Sequence, residues 1–525
     1  MRTGTYTVIA FVTAGVLGAS SAGNNTVAVQ TELLSRLASA PETIDPVVAA
    51  FYRDREGLPA WTVGMPAHGR MGDVVDFATA IHSEGLDPRD FRVEDLILLA
   101  GRSERHLSPG ALATRDILLT SVVFDLGREL AGVRTDPSET YENWSPTTRA
   151  ADPAASLADA MASGRELMET LASVRPDDPG YARLCDSLAR YRSYVEAGGW
   201  PELPAGAVLG PGDSGPRVAA LRQRLEIEGY VPLTPGDPTG YDDALAVAVG
   251  EFQARHGLAR DGLVGPNTLA ELNVPPQTRV KQIARNLERL RWRARDLGER
   301  HIRVNIPAFQ LEVVEFGETA LSMRVVVGRK DRPTPVLSSR VTYMEVNPYW
   351  NIPMKLARKD VLPHIQRDPV YLAERGIRVY ESWHPEAREL MPSSIDWRGL
   401  EPQELGFKLR QEPGPRNALG RVKFMFANPF SVYIHDTPGR GKFAGRKRCY
   451  SSGCVRVQDP LTLAAFLLRD KDGERGNAFM AAVDSMENTT LGLPKPVPVH
   501  IVYFTAWVDE EGVTHFRDDI YGYDA

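Results

Sequence analysis

The hydrophobic periodicity of the chain changes near residue 301, and this change limits the folds that the chain can adopt. Before it, apolar residues recur at helical spacing, as they do over residues 112–130. After it they alternate, as over residues 302–306, which is typical of half-buried strands. The chain has 525 residues, more than a single core can hold. We therefore predict a multidomain α+β protein with helices first and a mainly β domain last.

Two stretches rich in proline and glycine divide the chain, one at residues 201–211 and one at Pro275-Pro276. They separate a helical region, residues 31–200, from a short unit at 212–273 and from a third region at 280–525. The helical region has no catalytic spacing of its own, so we interpret it as a scaffold domain. The formal net charge of −7 is too mild to make nucleic acid the main partner.

The first 22 residues have the order of a secretory signal peptide. Arg2 precedes an apolar run over residues 8–17, and small residues follow at 19–22. The run is about half of the ~20 residues that span a bilayer. We therefore expect export to the periplasm or cell envelope, with an uncleaved signal as the alternative and as the only membrane contact.

In an exported chain, unpaired thiols are expected to be buried or to have a function, because the compartment is oxidising. The three cysteines are Cys185, Cys449 and Cys454, and an odd number leaves at least one of them unpaired within the chain. A disulfide between Cys449 and Cys454 would require their Cα atoms to lie within ~7 Å. We expect Cys449 to be a free bystander and Cys185 to be a buried helical residue.

Residues 212–273 resemble the three-helix peptidoglycan-binding domain. The resemblance rests on the spacing of Asp213-Ser214-Gly215, Phe252-Gln253, His256-Gly257-Leu258, Asp261-Gly262, Gly265, Thr268-Leu269 and Leu272-Asn273. Residues 212–216 also resemble the serine loop of chymotrypsin-type proteases. An amphipathic helix follows them, however, so Asp213 or Ser214 is better interpreted as its N-cap.

Cys454 is the candidate nucleophile of the third region. A thiol is a strong nucleophile only as the thiolate, so it requires a nearby base or cation. His435, which ends a short strand pattern, can be that base. Gly453 allows a tight turn that directs the Cys454 side chain and the backbone amides at one point, as an oxyanion requires. From spacing alone, a buried structural pair of His435 and Cys454 is favoured over a catalytic pair.

The surrounding sequence is basic. Eight Lys and Arg residues lie between Arg421 and Arg456 against Asp436 as the only acidic residue, a local net charge of +7. A positive field lowers the pKa of a thiol and attracts carboxylates. A solvated loop that is merely basic is the alternative.

The sequence His-Asp-Thr-Pro at 435–438, followed by Ser-Ser-Gly-Cys-Val-Arg at 451–456, resembles the catalytic motif of the YkuD-type L,D-transpeptidases. Most of that family has His before the Gly. Ser452 stands there in this chain, which resembles the YcbB-like branch, and so the role of that His is not carried over. Similar segments recur at 286–292, 304–307, 347–353, 359–363, 411–420, 423–424 and 516–522.

The resemblance implies a β-sandwich catalytic domain over 280–525, with a capping subdomain over about 350–411. Cys454 would attack the carbonyl that precedes the terminal D-Ala of a stem tetrapeptide, releasing D-Ala. His435 would accept the thiol proton, the carbonyl of Asp436 would orient the ring, and the amides of Gly453 and Cys454 would hold the oxyanion. An amine of a second stem would then complete a 3→3 crosslink. Carbapenems would acylate the same cysteine.

The resemblance also suggests residues that bind or position the substrate, namely Tyr433, Ser452, Arg456, Asn347 and Trp350. No metal and no cofactor is expected. The expected partners are stem peptides and glycan strands, together with other wall-synthesis enzymes such as a D,D-carboxypeptidase.

Four alternatives remain: two use the same catalytic residues, and two assign the chain another function. Attack by water would make the enzyme an L,D-carboxypeptidase, and a hydrolase of the same fold would cut crosslinks. A catalytically inactive wall-binding scaffold would conflict with the intact His435 and Cys454. A zinc peptidase is disfavoured because the ten histidines include no HExxH motif.

Overall fold

The computed structural model describes residues 21–39, 41–145, 151–164, 166–230, 237–368, 370–469 and 473–524. All but the last two residues of the expected signal peptide lie outside these ranges. Within them, no helix combines the length and apolar character needed to cross a membrane. The chain divides into two compact units, one from residues up to 134 with 151–176, the other from 135–150 with 177–525.

Helices form the first half of the chain and strands dominate the second half, as the periodicity predicts. The helices are α1 Ser21–Ser39, α2 Pro46–Asp54, α3 Met71–Ala80, α4 Val93–Ala100, α5 Pro109–Leu130, α6 Pro137–Thr140, α7 Ala154–Ser163, α8 Leu167–Ser173, α9 Pro179–Glu196, α10 Pro216–Ile227, α11 Asp243–Arg255, α12 Pro266–Leu272, α13 Pro276–Trp292, α14 Met354–Leu356, α15 Leu362–Arg367, α16 Tyr371–Glu374, α17 Pro460–Leu468 and α18 Glu474–Ser485. The strands are β1 Trp144–Ser145, β2 Arg300–Asn305, β3 Gln310–Glu315, β4 Glu318–Gly328, β5 Val336–Val346, β6 Trp350–Asn351, β7 Ile377–Tyr380, β8 Glu389–Leu390, β9 Lys408–Gln411, β10 Val422–Phe426, β11 Ile434–His435, β12 Cys449–Ser451, β13 Val455–Val457, β14 Thr489–Val502, β15 Ala506–Val508 and β16 Thr514–Phe516.

Helix α5 is the centre of the first unit, and α1, α2, α3, α4 and α7 pack against it. Its N-terminus is fixed because Ser108 accepts the amide of Ala111. Asp116 on α5 is fully buried and accepts hydrogen bonds from the hydroxyl of Tyr52 at 2.8 Å and the amide of Trp61 at 3.0 Å. Burial raises the pKa of Asp116, although these hydrogen bonds oppose the rise.

Helix α9 belongs to the second unit, although the sequence analysis placed it in the scaffold of residues 31–200. It packs against α13 and β15, where Leu184 and Leu188 meet Ile283 and Leu287 in one buried cluster. The apolar face of α9 is therefore matched by a helix almost a hundred residues further along the chain, and helical periodicity cannot reveal which helix covers which. Cys185, expected to be buried, is only half-buried on α9.

Helices α10, α11 and α12 surround one small core over residues 203–272. The side chain of Gln253 fixes the turn before α12, since it donates to Asp261 at 2.7 Å and accepts the amide of Gly262 at 2.9 Å. The expected N-cap of α10 is wrong. Gly215 holds that position without a side-chain bond, and Asp213 instead accepts the amide of Gly210.

The large sheet of the second unit closes on itself. Following its hydrogen bonds, β5 pairs in turn with β10, β11, β13, β4, β3, β2 and β14, and β14 pairs again with β5. The two layers of the expected sandwich are therefore continuous through the long strand β14. Strand β1 adds to β5 in parallel, with Trp144 opposite Val336. The apolar faces of these strands, with α17 and α18, enclose the main core.

Residues 350–411 form a separate small sheet of order β6-β9-β7-β8 with its own apolar cluster. Between β6 and β7 along the chain, Ala357–Val361 forms a π-helical turn, a geometry that is common at functional sites.

Replacing Asp116 with alanine tests the buried centre of the first unit. It leaves the buried backbone amides of Ala60 and Trp61 without their acceptor, so we expect local stability to fall by about 3 kcal/mol. Hydrogen exchange of α5 amides in the full chain should then accelerate roughly a hundredfold. The matched control is Asp95→Ala, which removes an exposed pair with Arg92 and should cost under about 1 kcal/mol. Equal exchange in the two variants would contradict the expectation.

Candidate active site

Two short neighbouring strands bring the predicted nucleophile and base together. Strands β11 and β13 run parallel, with His435 opposite Arg456, and the amide of Val455 donates to the carbonyl of Tyr433 at 3.1 Å. Alternate residues of a strand share a face of the sheet, so Tyr433 and His435 lie side by side, and their ring centroids are 5.6 Å apart. Cys454 lies directly before β13, against Tyr433.

The turn that carries the nucleophile is held from within. Gly453 has a φ of +115°, a conformation that side chains other than glycine rarely adopt. The hydroxyl of Ser451 donates to the carbonyl of Cys454 at 2.6 Å and accepts the amide of Gly453 at 3.2 Å. The Gly453 amide, predicted as an oxyanion donor, is therefore bonded to Ser451 in this structure, and its role in holding an oxyanion stays a prediction. The amide of Cys454 stays as the predicted donor.

The same turn is supported from outside by residues that sequence reasoning did not single out. The hydroxyl of Thr334 donates to the carbonyl of Gly453 at 2.8 Å and accepts the amide of Gly328 at 2.9 Å. The phenol of Tyr521 donates to the carbonyl of Gly328 at 2.8 Å and accepts the amide of Thr334 at 3.1 Å. The segment between β4 and β5 and the C-terminal segment thus hold Gly453 in place.

Arg332 connects the nucleophile turn to the small sheet region. One of its terminal nitrogens donates to the hydroxyl of Ser452 at 2.9 Å, and its guanidinium pairs with both carboxylate oxygens of Asp360, at 3.0 Å for the longer bond. The hydrogen bond from Arg332 lowers the pKa of Asp360. Asp360 lies in the π-helical turn, so a bidentate ion pair joins the two regions. Only the resemblance at 359–363 pointed toward it.

The thiol of Cys454 is half-buried, and burial raises its pKa. The amide and hydroxyl of Tyr433 and the charges of Arg456 and Lys423 act in the opposite direction. The basic stretch therefore lowers the pKa of the thiol, as predicted, but by less than burial raises it. The resting sulfur is a thiol at neutral pH.

His435 is buried, and its pKa falls to about 3. Burial is the main cause, and the charges of Arg456 and Lys423 add to it, while the carbonyls of Asp436 and Leu419 favour the protonated ring. Nδ1 completes no hydrogen bond of good geometry with any part of the chain that the structure describes. The carboxylate of Asp436 is occupied elsewhere, since it accepts the amide of Arg421 at 2.7 Å. The ring is neutral and able to accept a proton.

Tyr433 connects the predicted residues. Its hydroxyl hydrogen-bonds to Cys454 and receives the indole N–H of Trp350, and burial raises its pKa well above the ordinary value. The ammonium of Lys423 lies 4.4 Å from the centre of its ring and 3.5 Å from the carboxylate of Glu345. The structure therefore brings Trp350 into the site through Tyr433 and adds Lys423, which the motif search had noted only as part of the basic stretch.

The charge of Arg456 acts on the thiol more strongly than that of Lys423, and Arg456 lies two residues after Cys454, so alternation puts the two side chains on the same face. Its Nε atom is buried and meets no hydrogen-bond partner within the described ranges. Arg446, Lys447 and Arg448 of the same basic stretch instead line a different cavity with Arg517. The basic residues between Arg421 and Arg456, which were expected to act together on the thiol, thus lie at two different places in the structure.

Asn347 does not line the site as predicted. It is buried, and its side-chain amide donates to the carbonyls of Ala482, Val483 and Glu487 at the end of α18. An amide occupied in this way supports the backbone and does not recognise a substrate. Cys449, half-buried on β12, forms no disulfide with Cys454, although both cysteines lie in the described part of the chain.

Comparison with known families adds to this geometry. Residues 299–499 match the L,D-transpeptidase catalytic domain (YkuD), residues 214–272 match a peptidoglycan binding domain, and residues 46–188 match a scaffold domain. A Haemophilus influenzae protein named as an L,D-transpeptidase is 34% identical over 253 residues, which are 47% of this chain and 50% of that relative. The chain thus spans about half the length of the curated relative it matches.

Two solved structures share low similarity with the chain. The L,D-transpeptidase of Xylanimonas cellulosilytica is 19% identical, covers 57% of this chain and 98% of its own, and has a TM-score of 0.18. The L,D-transpeptidase of Stackebrandtia nassauensis is 13% identical, covers 57% of this chain and 96% of its own, and has a TM-score of 0.21. The assignment rests on the sequence matches: the chain carries a YkuD-type L,D-transpeptidase catalytic domain at residues 299–499, with a peptidoglycan-binding domain ahead of it.

Proposed function

We propose that the protein is an L,D-transpeptidase that forms 3→3 crosslinks in peptidoglycan through an acyl-enzyme on Cys454. The observation that carries the proposal is the arrangement of Cys454, Tyr433 and His435 on one face of two parallel strands, beside the cation of Arg456. Residues 299–499, which include these side chains, match the L,D-transpeptidase catalytic domain, and this match supports the proposal.

Acylation begins with a proton transfer between two neutral groups. His435 accepts the proton of the Cys454 thiol as the sulfur attacks the carbonyl carbon that precedes the terminal D-Ala. The carbonyl oxygen becomes an oxyanion, for which the Cys454 amide is the donor. The C–N bond then breaks, the imidazolium returns the proton to the leaving amine, and D-Ala departs. A thioester remains on Cys454.

Arg456 and Tyr433 supply recognition and positioning. A tetrapeptide donor ends in a carboxylate, and the guanidinium of Arg456 is a cation beside the sulfur that such a carboxylate can pair with. The hydroxyl of Tyr433, held by the Trp350 indole, orients the sulfur before attack and stabilises it as charge develops. Ser452 acts through its bond with Arg332, which fixes the turn.

The thioester has two fates. The side-chain amine of a diamino acid on another stem completes the crosslink, with His435 accepting the amine proton, whereas attack by water gives an L,D-carboxypeptidase. The burial of His435 and the half-burial of Cys454 favour transfer, because a poorly solvated thioester meets little water.

Substrate and location follow from the two domain matches. A peptidoglycan-binding domain joined to a transpeptidase domain supports peptidoglycan stems and glycan strands as partners, and a place in the cell envelope. The tetrapeptide donor must come from a reaction that removes one D-Ala from a longer stem. A D,D-carboxypeptidase is therefore the expected neighbouring activity.

Intact-mass measurement after exposure to a carbapenem tests the nucleophile. We expect one covalent adduct per chain, its loss in Cys454→Ala, and its retention in the matched control Cys449→Ala, since Cys449 lies on a different strand. With disaccharide-tetrapeptide as substrate, the wild-type protein should release D-Ala and form crosslinked dimer. An adduct that persists in Cys454→Ala would refute the assignment, and tripeptide without dimer would establish the carboxypeptidase instead.

The pH dependence of carbapenem acylation tests the neutral resting pair. Because the pKa of His435 lies at about 3, the base is unprotonated above that value, and lowering the pH through the ordinary histidine range should not slow acylation. The raised pKa of the thiol predicts a rate that climbs only in the alkaline range. Tryptophan fluorescence recorded at each pH controls for unfolding. A rate that halves near pH ~6.5 would contradict the neutral pair.

Arg332→Met tests the support of the nucleophile turn. Loss of the bonds to Ser452 and Asp360 should displace the turn and lower the acylation rate about tenfold or more, with the thermal midpoint little changed. Arg329→Met is the matched control, because Arg329 lies on the same segment and pairs with exposed Asp331, so the variant removes a nearby positive charge but not the bond to Ser452. Asp360→Asn should give an intermediate loss. Equal rates for Arg332→Met and Arg329→Met would assign Arg332 no positioning role.

A further inference from the structure

A second cavity lies outside the candidate active site, within the second unit of the chain. Its volume is about 330 Å³, and its wall combines the loop after α11 of the peptidoglycan-binding domain with residues 307–309 and 444–448 of the catalytic domain. Cys454 and His435 are not among the residues that line it. Whatever occupies this cavity therefore contacts both domains without occupying the catalytic position.

The wall of the cavity is strongly cationic. It contains five basic side chains, Arg324, Arg446, Lys447, Arg448 and Arg517, and one acidic side chain, Asp518. His256, which also lines it, adds no charge, because burial lowers its pKa well below the ordinary value. A concave wall with an excess of one sign focuses the field into the cavity and attracts ligands of the opposite sign.

Two of these cations are fixed by neutral groups. Arg448 donates to the carbonyls of Val325, Gly445 and Phe309 at 3.1, 2.8 and 3.0 Å. These carbonyls satisfy its donors but leave its charge uncompensated. Burial and the charge of Arg324 lower the pKa of Arg448 to about 10, which still leaves it charged at neutral pH.

Arg517 donates to the carbonyls of Arg255 and Phe516 at 2.8 and 2.7 Å, and the carboxylates of Glu271 and Asp518 partly compensate its charge. Its pKa falls to about 10, with burial as the main cause. Holding several cations together by neutral carbonyls costs stability unless an anion compensates them.

Asp518 shows which anion fits. Its carboxylate lies 3.1 Å from a terminal nitrogen of Arg446 and 3.4 Å from the ammonium of Lys447. Both of these cations are partly exposed, with 31% and 63% of their side chains accessible, so they are free to receive a second carboxylate from solution. The mouth of the cavity is thus already arranged around a carboxylate.

We propose that this cavity is an accessory subsite that binds a carboxylate of a peptidoglycan stem peptide, holding the polymer at the junction of the two domains while another stem occupies the active site. The proposal rests on the proposed function for the identity of the polymer. Stem peptides carry free carboxylates at regular intervals, and the two domains on either side of the cavity match families that bind or act on this polymer. Contact at this point would restrict how far a captured strand can move from Cys454.

Binding of the full chain to insoluble peptidoglycan sacculi tests the subsite. The Cys454→Ala background prevents turnover, and Arg446→Gln with Lys447→Gln removes the two exposed cations. We expect about tenfold weaker binding and a shallower salt dependence. The matched control, Arg475→Gln with Lys495→Gln, removes the same charge from exposed positions away from the cavity and should bind as the parent does.

Chemically altered sacculi identify the anion. Amidation of the carboxylates of the sacculi should weaken binding of the parent to the level of the Arg446, Lys447 double variant on native sacculi. Amidation should weaken binding of the double variant only slightly further. Sacculi stripped of phosphodiester-linked polymers by acid should bind the parent unchanged. Each of three outcomes would overturn the proposal. The parent could lose binding when the sacculi are stripped, amidation could weaken the parent and the double variant equally, or the double variant could bind native sacculi as the parent does.

One measurement separates this proposal from the proposed function. The double variant with Cys454 intact should still form the carbapenem adduct and still convert soluble disaccharide-tetrapeptide at the parent rate. A parent protein that forms no adduct would remove the proposed function, whereas normal chemistry with unaltered sacculus binding in the double variant would remove only the subsite.

Discussion

The parallel pairing of β11 with β13 is the constraint on which the site depends. Each strand is only two or three residues long, and each is held in place by a neighbour on its other side, β10 for the first and β4 for the second. The pairing sets Cys454 beside Tyr433 and places His435 opposite Arg456, so that a nucleophile, a base and a cation share one face. A shift of one residue in this register would turn alternate side chains to the other face and separate them.

At Cys454 burial and the neighbouring cations shift the pKa in opposite directions, and burial has the larger effect, whereas at His435 both lower the pKa. The same low-polarity surroundings raise the pKa of the thiol and lower that of the imidazole, so neither group is charged at rest. The cations beside them therefore do not create a standing thiolate. In the proposed mechanism they stabilise charge that appears during the reaction, when the sulfur is losing its proton and the substrate carbonyl is becoming an oxyanion. A thiol kept neutral in this way is also less exposed to oxidation than a standing thiolate would be.

Much of the fold could be predicted because periodicity is a local property. The helical first half of the chain and the change of pattern near residue 301 appear as expected, and residues 299–499 match the YkuD catalytic domain that the motif resembles. Tertiary partners could not be predicted in this way. Nothing local shows that α9 packs on α13, that Trp144 joins the sheet beside Val336, or that β14 closes it. The same limit applies to the candidate site. The motif located Cys454 and His435, but the hydrogen bonds of Ser451, Arg332 and Thr334 depend on the tertiary structure and could not be predicted from the motif.

Strand β1 has a consequence for the continuity of the catalytic domain. Residues 135–150 leave the helical first half of the chain, and Trp144 enters the core of the closed sheet against Trp292 at 5.5 Å before the chain returns to helices of the first unit. The folded domain is thus assembled from two separated stretches of sequence. A fragment cut at the linker before residue 280 would lose this strand together with α9, leaving an uncovered sheet edge and an apolar helix face. The catalytic domain is discontinuous in sequence, so no single cut in the chain separates it intact.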